Sequence, residues 1–299
     1  MTTVGLIGLG AMGSGMAGSL RRAGHTVQVF DVRREVAEAF AKDGGVAHDT
    51  LASLGAACDV IVSVVVNAAQ TESVLFGDGV TPGCAASMKP GSVFVMCSTV
   101  DPNWSVALEA RLQGMGLGYV DAPISGGAAK AASGQMTMMT AGKPAAYALA
   151  EPFLNAMAAK VYKLGDRAGA GSQVKIINQL LAGVHIAAAA EAMALGLREG
   201  VDPAALYEVI TNSAGNSWMF ENRMAHVLAA DYTPLSAVDI FVKDLGIVLD
   251  MARASKFPLP LSSTAHQMFM QASTAGFAKE DDSAVIKIFP GIELPKASS

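Results

Sequence analysis

Residues 3–31, TVGLIGLGAMGSGMAGSLRRAGHTVQVFD, decide the fold. Thr3 to Ile7 is short, apolar and glycine-flanked, as a buried strand is. Gly8-Leu9-Gly10-Ala11-Met12-Gly13 follows, then a helical SGMAGSLRRAG closing at Gly24, then a second strand, Thr26 to Phe30, ended by Asp31. Strand, glycine turn, helix, strand and acid stand in the spacing of a dinucleotide-binding βαβ unit. The glycines differ in what they allow. Gly8 permits the tight turn, Gly10 lets the backbone approach a pyrophosphate, and Gly13 lets the helix close on the strand. The helix start supplies free N–H groups and the positive end of its dipole to the phosphates. Ala11 and Met12 lie in the turn, and Val32 follows the acid, so the same cofactor contacts are expected of them. Asp31 is suited to accept hydrogen bonds from the adenosine ribose hydroxyls and to repel a 2′-phosphate, which predicts NAD. Arg33 and Arg34 just beyond either offset that repulsion, stack over the adenine, or are solvated residues at a helix start.

The α/β pattern continues. Asp59 to Val66 (DVIVSVVV) is β-branched and unbroken, as in a parallel strand covered on both faces, and Ser92 to Met96 forms another before Cys97-Ser98-Thr99. Ligands of open α/β sheets lie beyond the carboxyl ends of the strands. The backbone at Val65, Val66 and Asn67 is therefore expected beside the nicotinamide half of the cofactor; Ser98 and Thr99 either join it or cap a turn. Tyr119-Val120 leads into Asp121-Ala122-Pro123-Ile124-Ser125-Gly126-Gly127, where two glycines after a serine bare the backbone N–H groups that bind a carboxylate. Met136 to Thr140 and Val161 to Leu164 are predicted as the last strands of a Rossmann dinucleotide-binding domain over residues 1–164.

Composition changes at Gly165, and residues 165–299 carry helical periodicity without a convincing strand, so the C-terminal domain is predicted to be all-α. It opens on AGAGSQVKIINQLLAGVHIAAAAEAMALGLREG, Ala168 to Gly200. Rich in Ala, Leu and Met and free of Pro, this reads as one interdomain helix from Ser172 to Glu199, roughly 40 Å long. Lys175, Asn178 and Gln179 share a face in its first turns. Ile176, Ile177, Leu180, Leu181 and Val184 around them predict burial of this turn and a partly desolvated lysine. Asn212 to Trp218 is a polar break between helices. Val238 to Leu245 opens a later helix in which Lys243 and Asp244 are neighbours; adjacent helical residues do not face each other, so an ion pair is not expected.

With 299 residues, 52% of them hydrophobic and 16% charged, the chain can bury a large core but has little charge for its surface, which predicts a homo-oligomer, a dimer or tetramer. A net charge of −5, a pI near 5.5 and the lack of a basic stripe argue against nucleic acid and anionic membranes as partners. Cys58, Cys84 and Cys97 are too few and too irregular for a disulfide framework and read as reduced core thiols. The N-terminus lacks the features of a secretion signal, and the run Leu180 to Leu197 is interrupted by His185 and Glu191, as in a buried helix; a cytoplasmic protein is expected. The five histidines show no metal-ligand spacing, so no metal is expected.

Taken in order, Gly8-x-Gly10-x-x-Gly13, the Asp121-to-Gly127 segment, the Gly171-x-x-x-Lys175 helix and Lys243-Asp244-Leu245 resemble the β-hydroxyacid dehydrogenase family over nearly the whole chain. The resemblance implies an active site between the two domains, with Lys175 as catalytic acid/base, Ser125, Gly126 and Gly127 on the substrate carboxylate, and Lys243 near the cofactor. Two departures stand out. Where many members carry Asn four residues after the lysine, this chain has Gln179 preceded by Asn178, leaving open which amide meets substrate. Val66 replaces the family proline after the strand that ends near Val65.

The chemistry follows from the residue types. Oxidising an alcohol needs a base within hydrogen-bond reach of the hydroxyl, and burial lowers a lysine's pKa so that it can serve as one. Asn216, Ser217 and Trp218 in the polar loop, with Gln179, predict a hydroxyl-rich pocket, because unpaired polar groups penalise an apolar ligand. The expected substrate is a polyhydroxylated four-carbon acid, L-threonate, oxidised to a keto acid with NAD, ahead of tartronate semialdehyde reduction and of 3-hydroxyisobutyrate oxidation. The remaining alternative is a dinucleotide-bound scaffold without catalysis.

Overall fold

A computed structural model describes residues 2–296. Its elements alternate through the N-terminal half: β1 (Val4–Ile7), α1 (Gly13–Arg22), β2 (Val27–Phe30), α2 (Arg34–Lys42), β3 (Val46–Ala47), α3 (Leu51–Ala57), β4 (Val60–Ser63), α4 (Ala68–Phe76), β5 (Val93–Met96), α5 (Pro102–Gly114) and β6 (Gly118–Asp121). Then come β7 (Ile124–Ser125), α6 (Gly127–Ser133), β8 (Met136–Gly142), α7 (Pro144–Met157) and β9 (Ala158–Gly165). The rest is helical: α8 (Ala170–Arg198), α9 (Pro203–Thr211), α10 (Trp218–Ala229), α11 (Val238–Ala254) and α12 (Pro260–Ala272). The chain divides into two compact units, the first ending at Lys175 and the second beginning at Ile176, so the division falls inside α8.

The first unit is a single sheet in the order β3-β2-β1-β4-β5-β6-β8-β7, with β9 beside β8. Strands β3 to β6 along this order pair in parallel, whereas β8 runs antiparallel to β6 and β7. β1, β4 and β5 are buried along their whole length, as continuous apolar strands covered by helices on both faces must be. The order reverses at β1, which lies between β2 and β4 with Ile7 opposite both Phe30 and Ser63. The segments that leave these strands therefore emerge at one end of the sheet, at the switch point where doubly wound folds hold their ligands. The apolar run predicted as Asp59 to Val66 keeps its strand register only as far as Ser63; the Val64 N–H makes a last bond to the Ile7 carbonyl at 2.8 Å, and Val64 to Val66 wall a cleft.

In the second unit Ile176, Ile186, Ala190 and Met193 of α8 pack with Phe220, Met224, Phe241, Leu245 and Phe269 from α10, α11 and α12. The rings of Phe241 and Phe269 stack 5.2 Å apart. Arg223 is buried against the carboxylate of Asp282, a pairing that compensates a charge otherwise costly to bury. α8 is long and apolar enough to cross a membrane by composition alone, but half of its most apolar window is buried within the protein. Burial on α8 is one-sided, which corrects one expectation. Ile176 is fully buried, while Ile177 and Leu181 are 54% and 51% exposed. A helix packed on one side buries a stripe and leaves the residues off that stripe outside it.

Candidate active site

The glycine turn takes its shape from two close approaches. Gly8 has φ +92°, and a Cβ on Gly13 would come within 1.8 Å of the Gly8 carbonyl oxygen. α1 can thus start directly against the end of β1 only if position 13 has no side chain. A Cβ on Gly10 would meet nothing within 4 Å, so the space in front of this turn is open to a ligand. Ala11 and Met12 complete the turn, and Met12 is the N-cap of α1 without a side-chain cap bond.

Asp31 closes the arrangement. Only 8% exposed, its Oδ2 accepts from the Leu9 N–H at 2.6 Å and its Oδ1 from the Arg33 N–H at 2.9 Å and the Arg33 Nε at 3.3 Å. Burial pushes its carboxyl upward, but these donors outweigh burial and hold it below the usual carboxylate range. A carboxylate oxygen accepts about two hydrogen bonds, so Oδ2 retains capacity for a ribose hydroxyl. The two arginines separate: Arg33 pairs with Asp31, whereas Arg34 bonds Glu38 and Asp49 on the surface. Gly8, Gly10, Asp31, Val32, Val65 and Val66 line one cleft of about 600 Å³ together with Phe30, Leu51 and Gln70. Val66, in place of the family proline, donates its N–H to Gln70 Oε1 at 2.9 Å, a bond proline lacks the hydrogen to make. Ser98 donates to the Val65 carbonyl at 2.8 Å and bonds Thr71, fixing this loop, and Thr99 beside it is half-buried. An open phosphate turn, an acid with a spare lone pair and a cleft between them fit a dinucleotide.

Ser125 ends β7, and Gly126 and Gly127 have φ +136° and +75° at the start of α6, so the backbone turns sharply at the segment expected to hold a carboxylate. Asp121 of the same motif has a role the sequence did not suggest. Fully buried at the end of β6, its Oδ2 accepts from the N–H groups of Gly169 and Ser172, both at 2.9 Å, and its Oδ1 from the Ser172 hydroxyl at 2.7 Å. It caps α8 from another element, placing a negative charge at the positive end of the helix dipole. Burial raises its carboxyl above the usual range despite these donors. Gly171 is required by the same junction, since a Cβ there would lie 2.4 Å from the Met139 carbonyl oxygen. One turn further on, Lys175 is 7% exposed.

In the second unit, Gln179 Nε2 donates to Asp244 Oδ2 at 2.6 Å, Asn178 Nδ2 donates to Gln179 Oε1 at 3.1 Å, and Lys243 Nζ donates to Asp244 Oδ1. The ion pair between Lys243 and Asp244, discounted from their adjacency, therefore forms. Lysine has four methylenes and can bend its ammonium round to the next residue, whose shorter side chain is buried. Gln179 and Asp244 are buried and Asn178 is half-buried. Trp218, at the start of α10, lines a separate groove of about 440 Å³ with Tyr207, Glu221, Asn222, His226 and Asp231. Within the loop before it, Asn216 Nδ2 donates to the Thr211 carbonyl at 3.1 Å, and Ser217 caps α10 through the Phe220 N–H.

A Rossmann sheet carrying an open glycine turn beside a cleft lined by a buried acid fits a nicotinamide-dinucleotide oxidoreductase. Residues 3–165 match the NAD binding domain of 6-phosphogluconate dehydrogenase, and residues 169–289 match the family described as NAD-binding of NADP-dependent 3-hydroxyisobutyrate dehydrogenase. Over 292 residues the chain is 68% identical to L-threonate dehydrogenase of Cupriavidus necator, covering 98% of this chain and 97% of that one. It is 52% identical to L-threonate dehydrogenase of Escherichia coli K12, covering 99% and 97%. A crystal structure titled 3-hydroxyisobutyrate dehydrogenase from Salmonella typhimurium, 52% identical, superposes with a TM-score of 0.92 over 97% of this chain and all of that one. The chain belongs to the β-hydroxyacid dehydrogenase family, typified by 3-hydroxyisobutyrate dehydrogenase, and is an NAD-dependent hydroxyacid dehydrogenase.

Proposed function

We propose that this enzyme oxidises L-threonate to a keto acid with NAD, with Lys175 as the acid/base. The observation that carries the substrate is the 68% identity, end to end, with an L-threonate dehydrogenase; the crystal structure carrying the 3-hydroxyisobutyrate name is more distant, at 52%. In this reading the N-terminal domain spans residues 1–164 and the substrate domain 165–299. Bound NAD supplies the hydride acceptor. Gly8, Gly10, Ala11, Met12 and Gly13 hold its phosphates, Asp31 and Val32 its ribose, and Val65, Val66, Thr99 and Lys243 its nicotinamide half. Ser125, Gly126 and Gly127 bind the substrate carboxylate with backbone N–H groups. Lys175, buried and thus poorly solvated as a cation, takes the proton of the hydroxyl that becomes a carbonyl, and returns it in the reverse direction. One amide of the Asn178–Gln179 pair, together with Trp218, meets the remaining hydroxyls. The enzyme works as a cytoplasmic homo-oligomer, dimer or tetramer, a reading supported by the exposed Val174, Ile177, Leu181 and Leu195 along α8.

Steady-state kinetics with NAD at one pH tests the substrate: kcat/KM is expected to rank L-threonate above D-glycerate and 3-hydroxyisobutyrate. A clear win for 3-hydroxyisobutyrate overturns the assignment. The cofactor preference is a separate expectation. With Asp31 ionised and already committed to Arg33, a 2′-phosphate meets a like charge, so NAD is expected to outperform NADP in kcat/KM. Asp31→Asn should narrow the gap by about tenfold, the worth of roughly one charge-assisted hydrogen bond. Equal use of both cofactors by the unaltered enzyme would show that Arg33 decides instead.

A further inference from the structure

We infer that Asp244 is a positioning residue whose carboxylate, acting through Gln179, turns the Asn178 carboxamide oxygen away to accept a hydrogen bond from a substrate hydroxyl. This deepens the hydroxy-acid reading above and rests on it. The argument is one of donors and acceptors. A carboxylate paired with an ammonium only accepts, so Gln179 must present its NH2 group to Asp244 Oδ2, 2.6 Å away. That leaves the Gln179 carbonyl toward Asn178, which must in turn present its own NH2 group, at 3.1 Å. The orientation of both amides thus descends from one buried charge, and the Asn178 Oδ1 lies on the far side of its amide from Gln179. Asn178 is the half-buried member of the chain; Asp244 and Gln179 are 1% and 8% exposed.

The same charge serves two ends. Asp244 Oδ1 holds Lys243 while Oδ2 orients Gln179, so a single side chain sets both the residue read as cofactor-facing and the amide pair three and four positions after Lys175. Among the two amides, the geometry assigns substrate contact to Asn178 and support to Gln179. An outward amide oxygen fits a hydroxyl donor and is left unpaired by an acid that lacks one, which is how such a group discriminates.

The test compares kcat/KM for L-threonate with that for its singly hydroxylated four-carbon analogues, 2-hydroxybutanoate and 3-hydroxybutanoate. Asn178→Ala is expected to cut the selectivity ratio for L-threonate by about tenfold or more, mainly through KM. Gln179→Leu, which removes the middle amide of the relay and keeps the Asp244 carboxylate that pairs with Lys243, should cut the ratio similarly; Gln179→Met, closer in volume and equally unable to relay, replaces it should that variant fail to fold. An unmoved ratio in Asn178→Ala, or a loss in Asn178→Ala with none in Gln179→Leu, overturns the relay. An unaltered enzyme inert toward L-threonate overturns the substrate assignment instead, and the ratio is then read on glycerate against 3-hydroxypropanoate; inertness toward all of these acids overturns both.

Discussion

Replacing Lys175 with alanine is expected to lower kcat by roughly 10²–10⁴-fold, the usual worth of a general acid/base, while NADH still binds. The two readouts separate because the dinucleotide is expected to contact the Gly8–Gly13 turn and Asp31, whereas the lysine is proposed to touch only the reacting hydroxyl. NADH fluorescence titration and steady-state turnover on the same preparation measure both. The lysine is 7% exposed at the second turn of α8, where its four-carbon stem is desolvated and alanine removes the proposed proton carrier. A variant that keeps its kcat within about tenfold would make Lys175 a structural residue, and a variant that loses NADH binding would place it on the cofactor.

The largest expected effect on stability is at Asp121. Asp121→Ala removes an acceptor from the N–H groups of Gly169 and Ser172 and from the Ser172 hydroxyl, all buried. Losing a helix cap costs about 1 kcal/mol, and each buried donor left without a partner costs about 1–3 kcal/mol more. Counting the cap and the two backbone N–H groups, a total of about 3–7 kcal/mol is expected, seen as a lower denaturation midpoint. Ser172→Ala keeps both backbone bonds and should lose only about 1 kcal/mol. Because Ser172 precedes Lys175 by one turn, turnover should also fall in Asp121→Ala below the unfolding transition. A midpoint equal to that of the unaltered protein would show that water replaces the carboxylate at this junction.

Features fixed by nearby residues were legible in the sequence. The βαβ unit is one, because its constraints are local: a Cβ at position 13 collides with an oxygen five residues away, and Asp31 closes its ring of bonds with Leu9 and Arg33. The cysteines were legible too, since three unspaced thiols in an apolar chain have no use but packing. All three are buried and free, and burial holds the thiols of Cys58 and Cys84 up at about 12. Local periodicity also marked α8 from end to end within two residues.

Tertiary structure decided what depends on partners far along the chain. Asp121 reads as one letter of a turn motif until a segment 48 to 51 residues downstream brings its N–H groups to it. Asp244 turns inward because Gln179, 65 residues earlier, bonds it, and only then does Lys243 have a fixed anion within reach, against what helical spacing alone implies. Which side of α8 is buried likewise depends on where α10, α11 and α12 pack, so Ile176 is enclosed while Ile177 and Leu181 face out. By itself the sequence determined the Rossmann strand-turn-helix, the acid at the end of its second strand and the long helix carrying Lys175, because steric exclusion and periodicity act over a few residues. The pairing of buried charges and the direction of amides were decided by the fold, because a buried polar group must find its partner wherever the chain brings one.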